Sequence, residues 1–375
     1  MLGNIMRILY LCNRYTCRRD IFVDDFGYVV RLGEGLVARG HEVHIYAADY
    51  RKHQSFVRGL HGITFASKSL RTWNLPAYFF DLFFYARRTR PDIIISTSHS
   101  VWGLAGWAVS RIIGVPFIHH FEDTWHARRK TADIASSLFV KFLVPRANAI
   151  ICISDALCER ARSLRAREIY MIPQGFDPKM FRPINKDSSR RRLDLPADKR
   201  IIAYTGSIDT NRGIDTLLAA FKDVKAHFPD TMLCLYGHVY PNVRLDLTQP
   251  GVMVGNLKQE DVVYAINAAD VVVLPNSDND FARCCFPYKI LEYLACERPI
   301  VASKVGVISK ILGSHPECLF EPGDASDLAS KLVRILDQPP EVDGFRELAD
   351  GYSWVRVSGK LESVLSSVMA NAMRK

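Results

Sequence analysis

Short, unbroken runs of Ile, Val and Leu alternate with helix-length stretches along almost the whole chain, and this alternation constrains the fold more than any other feature. Ile8 to Cys12, Glu42 to Ala47, Asp92 to Ser96, Pro116 to His120 and Ala149 to Ser154 read as strands, with helices expected over Tyr28 to Arg39 and Val101 to Ile113. A run with no polar face cannot turn one side to water. Such strands are covered on both faces, as in a parallel sheet with helical crossovers. The scheme restarts with strands at Ile201 to Tyr204, Met232 to Tyr236, Val271 to Leu274 and Ile300 to Ala302. Helices are expected between and after them at Ile214 to His227, Glu260 to Ala268, Pro287 to Ala295 and Ala325 to Leu336. Between the two series, Pro173 to Pro183 (PQGFDPKMFRP) breaks the periodicity. A chain of 375 residues exceeds what one core usually sustains. The expectation is therefore α/β, with two Rossmann-like parallel-sheet domains, 1–183 and 184–352, facing across a cleft where strand carboxyl ends bind ligands. A last amphipathic helix within 353–375, roughly Trp354 to Met369, is placed to cross back to the first domain.

Hydrophobic residues make up 48% of the chain, which excludes disorder as its general state. The nine cysteines are scattered and never spaced as CxxC, so they suggest neither a disulfide framework nor a zinc site, and a reducing compartment fits. Met1 to Leu11 is a strand pattern without a cleavage site, and no stretch reaches the ~20 apolar residues of a membrane span. The expected location is the cytoplasm, at the inner face of the membrane. A formal charge of +9 is concentrated in Arg87-Arg88-Thr89-Arg90, Arg128-Arg129-Lys130 and Arg190-Arg191-Arg192. Any single run is most simply a solvated surface, and no zinc finger, RNP-like or helix-turn-helix pattern accompanies them, so nucleic acid is not an expected partner. An anionic membrane surface is, because Pro76 to Arg90 (PAYFFDLFFYARRTR) sets six aromatics beside a basic cluster. The competing account of that segment is a core-facing helix before the next strand.

The chemistry concentrates in two segments of the second half. In Val271 to Ser303 a buried strand ends at Pro275, an irregular polar loop follows, and a helix opens at Pro287, delivering backbone N–H groups and a positive helix end to an anion. Glu292, early in that helix, has the chemistry to accept hydrogen bonds from a ribose diol. In Thr205 to Leu218 (TGSIDTNRGIDTLL), Gly206 permits close backbone approach and Arg212 offers a bidentate clamp for a diphosphate.

The order Pro-x-Lys-x-x-Glu-Tyr-x-Ala over 287–295, followed by Arg298-Pro299-Ile300-Val301-Ala302, strongly resembles the donor motif of the retaining glycosyltransferases of family 4, which have the GT-B fold. The resemblance runs in order over nearly the whole chain, through Ala38-Arg39-Gly40-His41-Glu42-Val43, Pro173-Gln174-Gly175-Phe176-Asp177, Gly255 and Ala268-Ala269-Asp270. It implies that Glu292 binds the ribose of a nucleotide. Arg212 takes the lysine position of the family's Gly-Arg-x-x-x-x-Lys-Gly element, and Ser207 stands where the family often has Arg. Lys289 supplies further positive charge, or is a helix-surface lysine. Phe286 belongs to the same donor loop. The motif's other glutamate, eight positions before Glu292, is here Cys284. This departure implies altered sugar recognition first and lost activity second, with Cys284 or Asp280 available to occupy the space.

On the acceptor side, Val23-Asp24-Asp25-Phe26-Gly27 replaces the paired glycines of many members, so acceptor contacts do not transfer. Phe117 to Trp125 (FIHHFEDTW) is expected to bring His119, His120, Glu122 and Asp123 to the cleft edge. A histidine near this point contacts the donor sugar in many members, and either His120 or Glu122 falls at that position. Two histidines beside carboxylates are also compatible with a structural hydrogen-bond role, a general base or a metal site. By resemblance, the reaction moves a sugar from a UDP-, GDP- or ADP-sugar to a glycan or lipid-linked acceptor of envelope polysaccharide or glycolipid synthesis. It retains anomeric configuration without cofactor or divalent metal. An epimerase on the same architecture and a degenerate nucleotide-sugar-binding partner of an active transferase are the competing functions.

Overall fold

The computed structural model describes residues 5–16, 19–71, 74–97, 100–122, 138–209, 212–240, 246 and 249–374. The chain divides into two compact units, Met1–Gln174 with Trp354–Lys375, and Gly175–Ser353. The division falls upstream of Pro183 because the segment after Gln174 is already tied to the second unit. The Phe176 N–H donates to the Tyr352 carbonyl at 3.2 Å, and Phe176 bridges Ser353 in parallel.

The first unit contains strands β1 (Arg7–Asn13), β2 (Tyr15–Thr16), β3 (Arg19–Asp20), β4 (Glu42–Asp49), β5 (Phe56–Leu60), β6 (Ile63–Ser69), β7 (Ile93–Thr97), β8 (Phe117–Phe121), β9 (Ala149–Cys152) and β10 (Ile169–Met171). Its helices are α1 (Tyr28–Val37), α2 (Leu75–Thr89), α3 (Ser100–Ile113), a helical stretch at 138–143, and α4 (Asp155–Ser163). Eight strands form one sheet in the order β10-β9-β8-β7-β1-β4-β6-β5, parallel except for the β5–β6 pair. The connections β6 to β7, β7 to β8 and β8 to β9 all step the same way across this sheet. Because parallel crossovers are right-handed, α2, α3 and 138–146 lie in one layer on one face. The step from β1 to β4 runs the opposite way and places α1 on the other face. Ser154, expected at a strand end, instead caps α4, its side chain accepting from the Leu157 N–H.

The second unit contains α5 (Lys186–Arg192), β11 (Arg200–Thr205), α6 (Ile214–His227), β12 (Thr231–Tyr236), β13 (Val252–Gly255), α7 (Val262–Ala268), β14 (Val271–Leu274), α8 (Asp280–Cys284), α9 (Lys289–Ala295), β15 (Ile300–Ser303), α10 (Gly306–Ile311), β16 (Leu319–Phe320), α11 (Ala325–Asp337) and α12 (Phe345–Asp350). Its six strands are all parallel, in the order β13-β12-β11-β14-β15-β16. Leu217, Phe221 and Val224 of α6 share one core with Leu328, Leu332 and Ile335 of α11, an i, i+4, i+7 stripe meeting another. The last helix, α13 (Trp354–Met373), runs beyond Met369 and packs along α1 in the first unit. Gly35 makes room for it: a Cβ there would lie 2.2 Å from Ser358 Oγ.

Two further features depart from expectation. The helix carrying Glu292 begins at Lys289, and Pro287 instead opens a tighter turn in which Ile290 N–H donates to the Pro287 carbonyl and Leu291 N–H to that of Tyr288. The arginine run at 190–192 is not simply solvated. Arg190 is 3% exposed, with Nη2 2.8 Å from Asp270 Oδ2 and Nε donating to the Ala268 carbonyl, while Arg192 pairs with Asp261. The run at 128–130 lies outside the described residues.

Candidate functional site

In the second unit β11 and β14 are neighbours, with Ile202 opposite Val271 and Ala203 opposite Val272, so the loops leaving their carboxyl ends emerge side by side. The first starts at Gly206, whose N–H donates to the Tyr236 carbonyl at 2.8 Å. It ends at Gly213, which has φ 65° and no room for a side chain, since a Cβ would come 1.7 Å from the Pro275 carbonyl oxygen of the second loop. That contact docks the glycine turn onto the loop before α9.

Arg212 is thereby fixed over the loop that follows β14. Its guanidinium carbon sits 4.9 Å from the centre of the Phe281 ring, and its Nε is 3.9 Å from Asp209 Oδ2, beyond hydrogen-bond reach. Buried Arg212 Nε has no hydrogen-bond partner among the described residues. Tyr288, just before α9, interacts electrostatically with Arg212 and also lies under Lys289, whose Nζ is 5.1 Å from its ring centre. The two segments singled out in the sequence are thus brought together.

On α9, Lys289 Nζ donates to Glu292 Oε2 at 2.8 Å, and the two side chains are 19% and 8% exposed. Burial opposes the Lys289 charge, but the Glu292 carboxylate outweighs it and the ammonium is held above its usual pKa. Lys289 is therefore not the solvated helix-surface lysine of the simpler account. The next residue, Tyr293, is buried, and its hydroxyl accepts from the Thr205 N–H at 2.8 Å, linking α9 to the residue before Gly206. Ser207 lies in the same turn, its carbonyl accepting from the Tyr204 hydroxyl at 2.6 Å. Cys284 ends α8 half-buried. The Phe286 ring packs on Tyr352 at 5.6 Å and is 6% exposed, so its side chain belongs to the packing of this unit.

In the first unit His119 and His120 are not at an edge: both are 0% exposed. They lie within β8, an interior strand between β7 and β9, and successive side chains go to opposite faces. His119 points toward α3, where its Nδ1 is 2.7 Å from Ser96 Oγ and Gly103 leaves space for the ring. His120 points toward α1, its ring 4.8 Å from that of Tyr28. Burial pushes both imidazoles down to about 3, with the His119 charge a second cause for His120, so both are neutral near pH 7. Neither ring nitrogen of His120 has a hydrogen-bond partner among the described residues, and Glu122 Oε1 is 3.8 Å from Nδ1. Asp123 lies outside the described residues. The one grouping of carboxylate and imidazole ligand atoms found among the described residues is elsewhere, at Asp25, Glu34 and His61, where Arg31 already pairs with both acids.

Residues 27–180 match the family model described as Glycosyltransferase Family 4, and residues 199–338 match that of Glycosyl transferases group 1. The chain belongs to glycosyltransferase family 4. A Bacillus subtilis (strain 168) protein named as a teichuronic acid biosynthesis glycosyltransferase, TuaC, is 28% identical to this family 4 chain over 197 residues. The match covers 52% of this chain and 48% of TuaC, so the chain spans about half the length of that relative. Among solved structures, sucrose-phosphate synthase from Thermosynechococcus elongatus superposes with a TM-score of 0.78 at 22% identity, over 97% of this chain and 100% of that one. Anabaena HepE in complex with UDP superposes with a TM-score of 0.74 at 17% identity, over 96% and 100%. The fold is GT-B.

Three residues of this family 4 chain were not singled out from the sequence: Gly213, Phe281 and Tyr293. Tyr293 stands next to Glu292 inside the motif, but its partner Thr205 is 88 residues away. For Gly213, a glycine at a helix entrance was visible, though its neighbour Pro275 was not. Phe281 carried no signal, because the ring matters only through Arg212.

Proposed function

We propose that the chain moves a sugar, with retention of configuration, from a nucleoside-diphosphate sugar to a glycan or lipid-linked acceptor, in envelope polysaccharide or glycolipid synthesis. The observation that carries this reading is the half-buried guanidinium of Arg212, its buried Nε without a hydrogen-bond partner among the described residues, set beside the loop that leads to Glu292. A buried N–H left without a partner is costly, and a diphosphate bound at the half-exposed guanidinium would satisfy it. In this reading Arg212 and Lys289 meet the charge of the leaving diphosphate, with the Gly206 turn allowing close backbone approach and no divalent metal required. Glu292 would then exchange its bond to Lys289 for the ribose hydroxyls. Catalysis is mostly positioning and electrostatic stabilisation of the leaving group, which Arg212 supplies without reorganising. Ser207 leaves this site one cation poorer than the family pattern. Either His120, enclosed in this structure, or Glu122 remains the proposed sugar contact of the first unit, with His119 tied into the core by Ser96.

Cys284 favours a second reading, a nucleotide-sugar-binding partner without turnover, because a thiol cannot replace the hydrogen bonds of a carboxylate to a hexose. UDP of the HepE complex makes a first probe. Melting of the purified chain is measured with UDP, GDP, ADP and their sugar conjugates, since a ligand bound only to the native state raises the melting temperature. A rise with one nucleotide that is lost in Arg212→Ala, together with sugar transfer to an added acceptor, supports the transferase. Binding without turnover supports the partner, and no rise with any nucleotide overturns both.

A further inference from the structure

The layer formed by α2, α3 and residues 138–146 has an outer surface unlike the rest of the first unit. Helix α2 buries Tyr78, Leu82 and Ala86 at i, i+4 and i+8, and turns Phe80, Phe84 and Arg88 outward at the same spacing. The core-facing account of that segment therefore holds for one face, and the opposite face is left exposed. Phe80 and Phe84 are 58% and 65% exposed. Helix α3 lies beside α2, with Trp102 5.0 Å from Tyr78, and exposes Ile112 at 60%. Residues 138–146 lie beside α3, with Phe142 edge-on to Trp107 at 5.3 Å, and expose Leu138 at 61%.

Charge on this layer is one-sided. Arg87, Arg88, Arg90, Arg111, Lys141 and Arg146 are exposed, and the only acid in the three helical segments is Asp81. Asp81 is already neutralised, accepting from Lys68 Nζ at 2.6 Å and from the Tyr46 hydroxyl at 2.7 Å. Around the ends of α2, α3 and α13 the layer continues into a basin of about 640 Å³, bordered by Arg87, Arg90, Ile112, Met369 and Met373. Exposed aromatics interleaved with exposed arginines fit the boundary between headgroups and acyl chains of an anionic bilayer. A water-facing surface would expose fewer rings, and a face whose one acid is already neutralised complements a surface of continuous negative charge. No helix among the described residues is long and apolar enough to cross a membrane.

We propose that the outer face of α2, α3 and residues 138–146 docks the protein onto anionic phospholipid, with Phe80 and Phe84 entering the headgroup layer. The inference is independent of the transferase reading, because its test reads vesicle binding rather than turnover. The full chain is sedimented with vesicles of phosphatidylcholine alone, or containing about a third phosphatidylglycerol, at low salt. Binding is expected to the anionic vesicles and to be at least roughly tenfold weaker to the neutral ones, since each cation near an anionic surface contributes roughly fivefold. Phe80→Ser/Phe84→Ser keeps the charge and should weaken binding at least roughly tenfold. Arg88→Glu/Arg111→Glu should weaken it further and flatten its salt dependence. All four side chains are on the exposed face, so the melting temperature should match the parent's, confirming that each variant is folded. Absence of binding to anionic vesicles overturns the proposal, as does undiminished binding of the phenylalanine variant. A dimer in light scattering that the phenylalanine variant dissociates would make this face a protein interface and overturn it as well.

Discussion

Gly213 passes so close to Pro275 that the chain has no space for a single methyl group between them: a Cβ would lie 1.7 Å from the proline carbonyl oxygen. The left-handed φ of 65° adds a backbone cost of about 1 kcal/mol for any other residue. Gly213→Ala must therefore separate the two loops that hold Arg212 and Glu292. The expected outcome is a loss of more than ~2 kcal/mol from the second unit and of nucleotide binding, read as a fall of several degrees in melting temperature. A variant that melts and binds like the parent would show that the loops tolerate separation.

Tyr293→Phe tests the link between α9 and β11 without changing shape. It removes the hydroxyl that accepts from the Thr205 N–H and leaves a buried donor unsatisfied, at a cost of about 1–3 kcal/mol. Denaturant unfolding should report that loss. Nucleotide affinity should fall while the Lys289–Glu292 pair stays intact, so a stability loss with unchanged affinity would confine Tyr293 to packing.

The parts of this fold visible in the sequence are those set by local pattern. Val271–Leu274 and Ile214–His227 have the expected bounds because a buried strand and an amphipathic helix are each written in consecutive residues. β5 was invisible: it is an edge strand with its middle residues exposed, so Phe56 to Leu60 carries neither alternation nor an apolar run. The start of α9 was misplaced because Pro287 is compatible with a first helical turn and with the tighter turn that precedes Lys289. At the site, Glu292 and Arg212 were legible as residue types in a motif. What brings them together, Gly213 against Pro275 and Tyr293 against Thr205, is long-range and has no local signature. The histidines show the same limit in reverse. Their position near a strand end suggested access, while the pairing of β8 between β7 and β9 puts both inside.

Glu292→Gln keeps the volume of the carboxylate and removes its charge, leaving buried Lys289 without its partner. Breaking such a pair from one side is expected to cost about 3–5 kcal/mol if the ammonium stays buried, and less if it swings to water. Nucleotide affinity should drop by roughly one to two orders of magnitude as the ribose contact weakens. Because the folded-state pKa of Lys289 is raised, the pair's stabilisation is fully present below the ordinary lysine value of 10.5 and is lost only as pH rises through the higher folded value. Parent stability should therefore show no loss from this pair between about pH 7 and 10. Titration of calorimetric melts of the parent and Glu292→Gln would check both statements.

His119 and His120 lower the stability of the first unit in acid. Their folded-state values lie near 3, well below the ordinary 6.5, because burial disfavours the charged rings. Above pH 6.5 neither state of the chain binds the proton, so the groups leave stability unchanged. Below it the unfolded chain takes up protons that the native rings refuse, and stability falls with decreasing pH until the folded values are reached. The slope is of order 1.4 kcal/mol per pH unit for each histidine. His120→Leu removes one of these groups from a position with no hydrogen-bond partner for either nitrogen among the described residues. Its stability should decline less steeply than the parent's between pH 6.5 and 4.5, by about half of the histidine contribution, measured by urea unfolding across that range. An unchanged slope would mean that His120 is hydrated or paired in solution. Transfer at the parent rate in the same variant would remove it from the proposed sugar contacts, leaving Glu122 in that role.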